Sequence, residues 1–144
     1  MKVEIKLSPE VREDYAVIYC KEITDEVQEL SSLIEAGERI VTAKDQERIV
    51  VLRPKEIFMV RVENGETVIY CRSRKYTTSK RLYELEEQLS TRFMRISKSA
   101  IVNLNELDSV EASFNSMMTL ILKNGCKDYI SRKYLPDFKK YLGL

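Results

Sequence analysis

The side chains that most often carry catalysis are missing or badly placed in this sequence. Its 144 residues contain no His and no Trp, so Ser-His-Asp and Cys-His nucleophilic chemistry, imidazole metal sites and histidine phosphotransfer are excluded. Cys20, Cys71 and Cys126 are odd in number and more than fifty residues apart, a spacing that gives neither a disulfide framework nor a zinc-ligand cluster. They read as small, reduced core hydrophobes. Paired carboxylates such as Glu86 and Glu87 are adjacent; on a helix they point apart and cannot work together as acid and base. No enzyme class is left with a positive signal, and no cofactor is implied.

The chemistry that remains is cationic. Arg72, Arg74, Lys75, Lys80 and Arg81 fall within ten residues that contain no acid and are interleaved with Tyr76, Thr77, Thr78 and Ser79. Arg92, Arg95 and Lys98 form a second acid-free run, and Arg132, Lys133, Lys139 and Lys140 a third, offset by Asp137. Taken singly, each is an ordinary solvated face; converging in space, they suit a polyanion. The overall balance of 24 basic and 23 acidic residues hides an asymmetry: residues 1–38 hold 4 basic and 10 acidic residues, net −6, and residues 39–144 hold 20 and 13, net +7.

The elements that must hold these groups are mostly β. Two Asn-Gly pairs sit between β-like runs: Phe58–Glu63 and Glu66–Cys71 flank Asn64-Gly65, while Thr119–Lys123 and Cys126–Ile130 flank Asn124-Gly125. Each pair predicts a hairpin with a tight turn, because both central residues of a type I′ turn need positive φ. Further strands are expected at Val3–Leu7, Tyr15–Cys20, Arg39–Thr42, Ile49–Leu52, Met94–Ile96 and Leu107–Ala112, with a polar turn at Lys44-Asp45-Gln46-Glu47.

Three short helices complete the reading. Thr24 caps one whose face is Val27, Leu30, Leu33 and Ile34, with Gly37 as its stop. Ser79 caps a second through Leu82, Leu85 and Leu89. The third lies between Ser131 and Gly143, with Leu135, Phe138 and Leu142 as its stripe and Pro136 tolerated in its first turn. The core this pattern implies is affordable at this length. No apolar run exceeds about five residues, against the roughly 20 that a membrane span needs, and the N-terminus has no apolar h-region. A soluble, cytoplasmic protein is expected.

The run Arg92-Phe93-Met94-Arg95-Ile96-Ser97-Lys98-Ser99-Ala100-Ile101-Val102-Asn103-Leu104-Asn105, followed by Tyr129-Ile130-Ser131-Arg132-Lys133-Tyr134-Leu135, resembles the LytTR family of bacterial DNA-binding domains. The order of hairpin, Leu82-Tyr83-Glu84-Leu85 helix, Lys-Ser segment, second hairpin and terminal helix is also similar, over residues 43–144. The resemblance implies an α+β, predominantly β fold: an elongated set of small, mostly antiparallel sheets with short helices. It also implies a transcription regulator that recognises double-stranded DNA through loops in successive major grooves, without a recognition helix.

On that resemblance the candidate DNA-binding residues are Ser97, Lys98, Ser99, Arg132, Lys133, Asn64 and Arg95. Ser97-Lys98-Ser99 offers a cation and two hydroxyls in one loop, suited to phosphate oxygens or a guanine edge. Arg132 and Lys133 stand at the entry of the last helix, where backbone donors also favour an anion. As neighbours they face differently, so one reads a base while the other touches phosphate or water, and the order stays open. Asn103 reads as a structural residue that hydrogen-bonds the backbone.

Two departures from the family pattern are visible. Ser97 stands where many members carry His, and Glu63 and Glu66 flank Asn64, so that only Asn64 and its backbone can face phosphate. Residues 1–42 form an acidic extension, too short for a receiver domain, and are expected to dimerise or to brace their own domain. A protein-interaction module without nucleic acid is the rival reading. An RNA binder is a weaker one, since the usual aromatics beside glycines are absent.

Overall fold

The computed structural model describes residues 1–12, 14–36, 39–89, 92–112, 115 and 117–144. Gly37, the expected helix stop, lies outside them. Helix α1 spans Asp25–Ala36, with Asp25 and Glu26 in its first turn. Its cap is the expected one: the Thr24 hydroxyl accepts a hydrogen bond from the Val27 amide at 3.3 Å.

Ten strands follow. β1 (Val41–Asp45) and β2 (Arg48–Leu52) form a hairpin turned at Gln46, whose φ is 56°. β3 (Met59–Glu63) and β4 (Glu66–Tyr70) flank Asn64 and Gly65, both at positive φ, as the sequence predicts. After β5 (Lys75–Thr78) and α2 (Leu82–Gln88) come β6 (Phe93–Ser97), β7 (Ala100–Asn103), β8 (Leu107–Ala112), β9 (Met118–Leu122), β10 (Lys127–Ile130) and α3 (Leu135–Leu142). The strands build a seven-stranded sheet of order β2-β1-β5-β4-β3-β7-β6 and a three-stranded sheet of order β10-β9-β8. Every pairing is antiparallel, and the fold is predominantly β with short helices.

The large sheet is buried on both faces, which explains why Ile57–Val60 and Ala100–Val102 are continuous apolar runs rather than alternating ones. On one face Val60, Ile69 and Ile101 pack with Val41, Ala43, Leu52 and the α2 residues Leu82, Leu85 and Leu89. On the other, Met59, Ala100 and Val102 pack with Leu120, Leu122, Ile130 and Phe138 from the small sheet and α3. Phe138 is fully buried; removing such a ring costs about 3–5 kcal/mol. Gly143, at φ 78°, closes α3 in the left-handed conformation that a C-terminal stop needs.

Several expectations are corrected. Val3–Leu7 and Tyr15–Cys20 alternate as strands do but form no ladder among the described residues, because in a single chain they meet no sheet edge. Cys20 is exposed rather than buried, and Cys71 and Cys126 are half-buried. Burial pushes the Cys71 thiol up to about 11, with Glu56 adding to it. Ser79 does not cap α2; Arg81 holds that position, and the Glu84 carboxylate accepts from its amide at 3.2 Å. Around Asn124 only Gly125 has positive φ, in a three-residue loop closed by a 2.8 Å bond from the Leu122 amide to the Cys126 carbonyl. The Asn124 side chain works instead, accepting from the Cys126 amide and donating to the Cys71 carbonyl. No helix among the described residues is long and apolar enough to cross a membrane.

Candidate nucleic-acid interface

Sheet register decides which loops share an end of the molecule. β7 pairs with β3 so that Arg61 stands opposite Ala100, and the Val62 amide donates to the Ser99 carbonyl at 2.8 Å. The Asn64 turn and the Lys98 turn therefore emerge side by side, about 10 Å apart at two strand spacings. The Ser131 amide donates to the Ile96 carbonyl at 2.8 Å, which brings the Arg132-Lys133 loop against the end of β6. Three loops distant in sequence thus form one row.

Within that row Lys98, Arg132, Lys133 and Asn64 are exposed. The Lys133 ammonium lies 5.4 Å from the centre of the Tyr134 ring, a cation-π contact that orders its stem. The Ser131 carbonyl accepts from the Tyr134 and Leu135 amides, both at 3.0 Å, folding the loop into the start of α3.

The remaining candidates sit beneath the row. Ser97 is buried at 3 % exposure, and its hydroxyl accepts from the Ser99 amide at 3.2 Å, so it shapes the turn from below. Ser99 is half-buried, with its hydroxyl 3.4 Å from that of Ser97. Arg95 faces inward after the bulge between Arg95 and Ser97. It donates to the Ser97 carbonyl at 2.7 Å, the Lys98 carbonyl at 2.6 Å and the Glu86 carboxylate at 2.6 Å. Its guanidinium is occupied holding the turn that carries Lys98. Asn103 is a structural residue, as the sequence suggests: at 1 % exposure it donates to the Ile57 carbonyl at 2.9 Å and accepts from the Asn105 amide at 3.0 Å.

A second brace was not legible in the sequence. Arg61 donates to Glu63 at 2.7 Å and to the Tyr70 hydroxyl at 3.1 Å, and reaches Asp128 on β10 at 3.5 Å. The Tyr70 hydroxyl donates to the same Glu63 carboxylate. The Tyr70 hydrogen bond, joined by Arg61 and opposed by partial burial, holds the Glu63 carboxyl below the usual range. Burial alone would lower the Arg61 pKa, but the bonds to Glu63 and Tyr70 raise it above its ordinary value. Glu63 is therefore a paired charge, and Glu66 is the carboxylate left exposed beside Asn64. An Arg placed among Met59, Val60 and Val62 signals a partner, but nothing local names Asp128.

The first basic run divides: Arg72 and Arg74 follow the far end of β4, whereas Thr78 pairs with Thr67 and returns Lys80 and Arg81 to the Asn64 end, and Lys75 lines a groove with Glu63 and Asn64. Tyr70 pairs with Lys75 at the far end of β4, roughly 17 Å along the strand from the Asn64 turn at 3.4 Å per residue. There Arg72 stacks 5.6 Å from the Phe58 ring centre. Lys80 is tied to Gln88 at 2.9 Å. Among the described residues no group of His, Cys, Asp and Glu is placed to hold a metal ion.

Comparison with known proteins points to one family. The model of the LytTr DNA-binding domain matches residues 47–143. An HTH-type transcriptional regulator of Staphylococcus aureus, itself uncharacterized, is 29% identical over 147 residues, covering 100% of this chain and 99% of its own length. The sensory transduction protein LytT of Enterococcus faecalis is 30% identical over 105 residues, which is 72% of this chain and 43% of that protein. Among solved structures, the LytTr DNA-binding domain of a Bacillus cereus methyl-accepting/DNA response regulator superposes with a TM-score of 0.69 at 25% identity, covering 75% of this chain and 100% of that one. In the present chain the described helices α1, α2 and α3 are separated by strands, so no two adjoin as a helix-turn-helix.

Proposed function

This chain belongs to the LytTR family of DNA-binding domains, and from that membership we propose that it is a transcription regulator whose row of three loops reads a specific double-stranded site. The observation that carries the reading is the juxtaposition of Lys98 and Arg132-Lys133 through the Ser131–Ile96 hydrogen bond. Exposed cations on stiff strand ends can follow a phosphate backbone and reach base edges between its strands. In this reading Asn64, Lys98, Arg132 and Lys133 touch DNA, while Arg95, Ser97 and Ser99 set the conformation of the Lys98 turn. The flanking loops enter successive major grooves, and the duplex bends toward the row so that both reach. The site consists of paired half-sites, occupied by a homodimer formed through the acidic N-terminal segment and acting in the cytoplasm. Two linked half-site contacts raise the effective concentration of the second.

Selection from a random duplex pool tests the reading. It expects an enriched motif whose affinity falls as salt rises, with a log-log slope of about 0.9 per phosphate neutralised. Lys98→Ala, Arg132→Ala and Lys133→Ala are each expected to bind more weakly while remaining folded. Across single-base variants of the motif, a lost guanine contact costs about 1–3 kcal/mol at one position, and a lost phosphate contact weakens every sequence alike. No enriched motif, or a salt-insensitive constant, defeats the proposal in favour of a protein-interaction module.

A further inference from the structure

The acidic N-terminal segment leaves its own apolar side chains unused. Val3, Ile5 and Leu7 are 77–96 % exposed, and Tyr15, Val17 and Tyr19 61–94 %. Both sets fall on odd positions, so in extended chain each lines a single face. A turn at Ser8–Val11 links them, with the Val11 amide 3.4 Å from the Ser8 carbonyl. Helix α1 uses only part of its apolar face, with Val27 and Leu30 half-buried. Asp25, Gln28, Glu29 and Ser32, one polar stripe at helical spacing, line a groove with Arg92 and Asn105 of the body. Leu33 and Ile34 stay 65 % and 50 % exposed. The Leu33-Ile34 end of its apolar face is therefore free for another surface.

The body offers one surface of matching kind. β2 is the end strand of the large sheet, and its outward residues Ile49 and Val51 are 73 % and 53 % exposed, an open apolar edge of the sort that folded chains usually protect. The other edges do not match. β8 presents Asp108 and Glu111, which repel residues 1–38 of net −6, β6 is engaged by the loop after β10 through the Ser131–Ile96 bond, and β10 offers only Tyr129 as an exposed apolar side chain.

We propose that the N-terminal segment of one chain adds, as two strands on either side of its Ser8–Val11 turn, to the free edge of β2 in a second copy, placing Val3, Ile5, Leu7, Val17 and Tyr19 on the face of Ile49 and Val51, with the Leu33-Ile34 side of α1 covering that face. Within one chain the two surfaces do not meet, whereas a two-fold pair lets each copy give one segment and receive one, as a self-complementary interface requires. Residues 1–38 together, α1 included, carry net −6 and the body net +7, so the exchange is electrostatically favoured. The inference rests on the dimeric reading above and names its contact surface, which lies on β2 and away from the three-loop row.

The test uses the full chain and two surface variants, Ile49→Lys/Val51→Lys and Ile5→Asp/Val17→Asp, all at sites exposed in the single chain, with far-UV circular dichroism as the fold control. Sedimentation at tens of micromolar, the weak-dimer range, is expected to give twice the 16.9 kDa chain mass for the wild type and the single mass for each variant. An equimolar mixture of the two variants is expected to recover a dimer, since one intact edge then meets one intact segment. Hydrogen exchange is expected to show β2 amides protected in concentrated wild type and released on dilution. A monomeric wild type, a variant that stays dimeric, or a mixture that stays monomeric overturns the proposal. Half-site DNA binding by all three proteins is read separately: its absence with association intact counts against the DNA reading alone.

Discussion

Arg95→Ala separates a residue that holds the interface from one that touches DNA. The guanidinium donates three short bonds, to the carbonyls of Ser97 and Lys98 and to Glu86, at 2.6–2.7 Å, and its side chain is 18 % exposed. Its removal leaves the Lys98 turn held by the β6–β7 ladder, the Ser99–Val62 bond and the bond from the Ser99 amide to the Ser97 hydroxyl. Freeing one residue's backbone is worth about 1–2 kcal/mol, and the two turn residues Lys98 and Ser99 keep part of their order through that ladder. Reordering the turn on DNA is therefore expected to weaken binding by roughly 1–2 kcal/mol, a factor of about 5–30. The loss is expected to be the same for every base sequence. Because Arg95 neutralises no phosphate in this account, log affinity against log salt should shift down in parallel to wild type. Lys98→Ala should instead flatten the slope by about 0.9. Fluorescence anisotropy over a salt series on one duplex measures both. A flattened slope for Arg95→Ala, equal to that of Lys98→Ala, refutes the bracing role and makes Arg95 a phosphate contact.

Three further outcomes are expected. Asn103→Ala leaves the buried Ile57 carbonyl without its 2.9 Å donor and is expected to lower unfolding stability by about 1–3 kcal/mol in denaturant titrations. Thiol labelling at pH 8 should modify exposed Cys20 first and Cys71 last, because the Cys71 thiol, at about 11, offers little thiolate; equal rates would show that the strand end carrying Cys71 is open. Glu63 is held below the ordinary carboxylate value mainly by Tyr70, so its stabilisation is present above that value and is lost as pH falls through the lowered one. Acid titration of Glu63→Gln should accordingly show a smaller fall in melting temperature than wild type, and superimposable curves would dismiss the Tyr70–Glu63–Arg61 brace.

What could be read in the sequence was what local chemistry decides. Asn64-Gly65 announced its turn because positive φ at two successive residues is a property of those residues themselves. The Phe138 stripe and the Thr24 cap are local in the same way. Asn124-Gly125 carried the same signal, yet its side chain found Cys71 across the molecule and the loop took another form. Val3–Leu7 is the opposite case: the alternation is real, but a strand exists only where a partner edge meets it, and that edge is encoded elsewhere. Arg95 shows the limit for function. Composition gives its charge, while only the folded turn supplies the Ser97 and Lys98 carbonyls and the Glu86 carboxylate on which that charge is spent.

The same two-sided burial that makes the fold legible also decides where recognition can happen. At the centre of the large sheet one face is closed by α2 and the other by the small sheet with α3, so neither face is open to a duplex there. The helices are committed as well, since Leu82, Leu85 and Leu89 of α2 and Phe138 of α3 point into those cores. Exposed basic residues gather at the ends of strands in the Lys98 and Arg132-Lys133 loops, where a residue can face solvent without surrendering core contacts. Loops gain freedom to reach bases and lose rigidity by the same change, which explains why the row has so many internal donors beneath it. Arg95 with Ser97 fixes one loop, Arg61 with Glu63 and Tyr70 the second, and the Ser131–Ile96 bond the third. Rigid spacing between loops on separate strand ends is what a fold without a recognition helix needs to distinguish one duplex sequence from another.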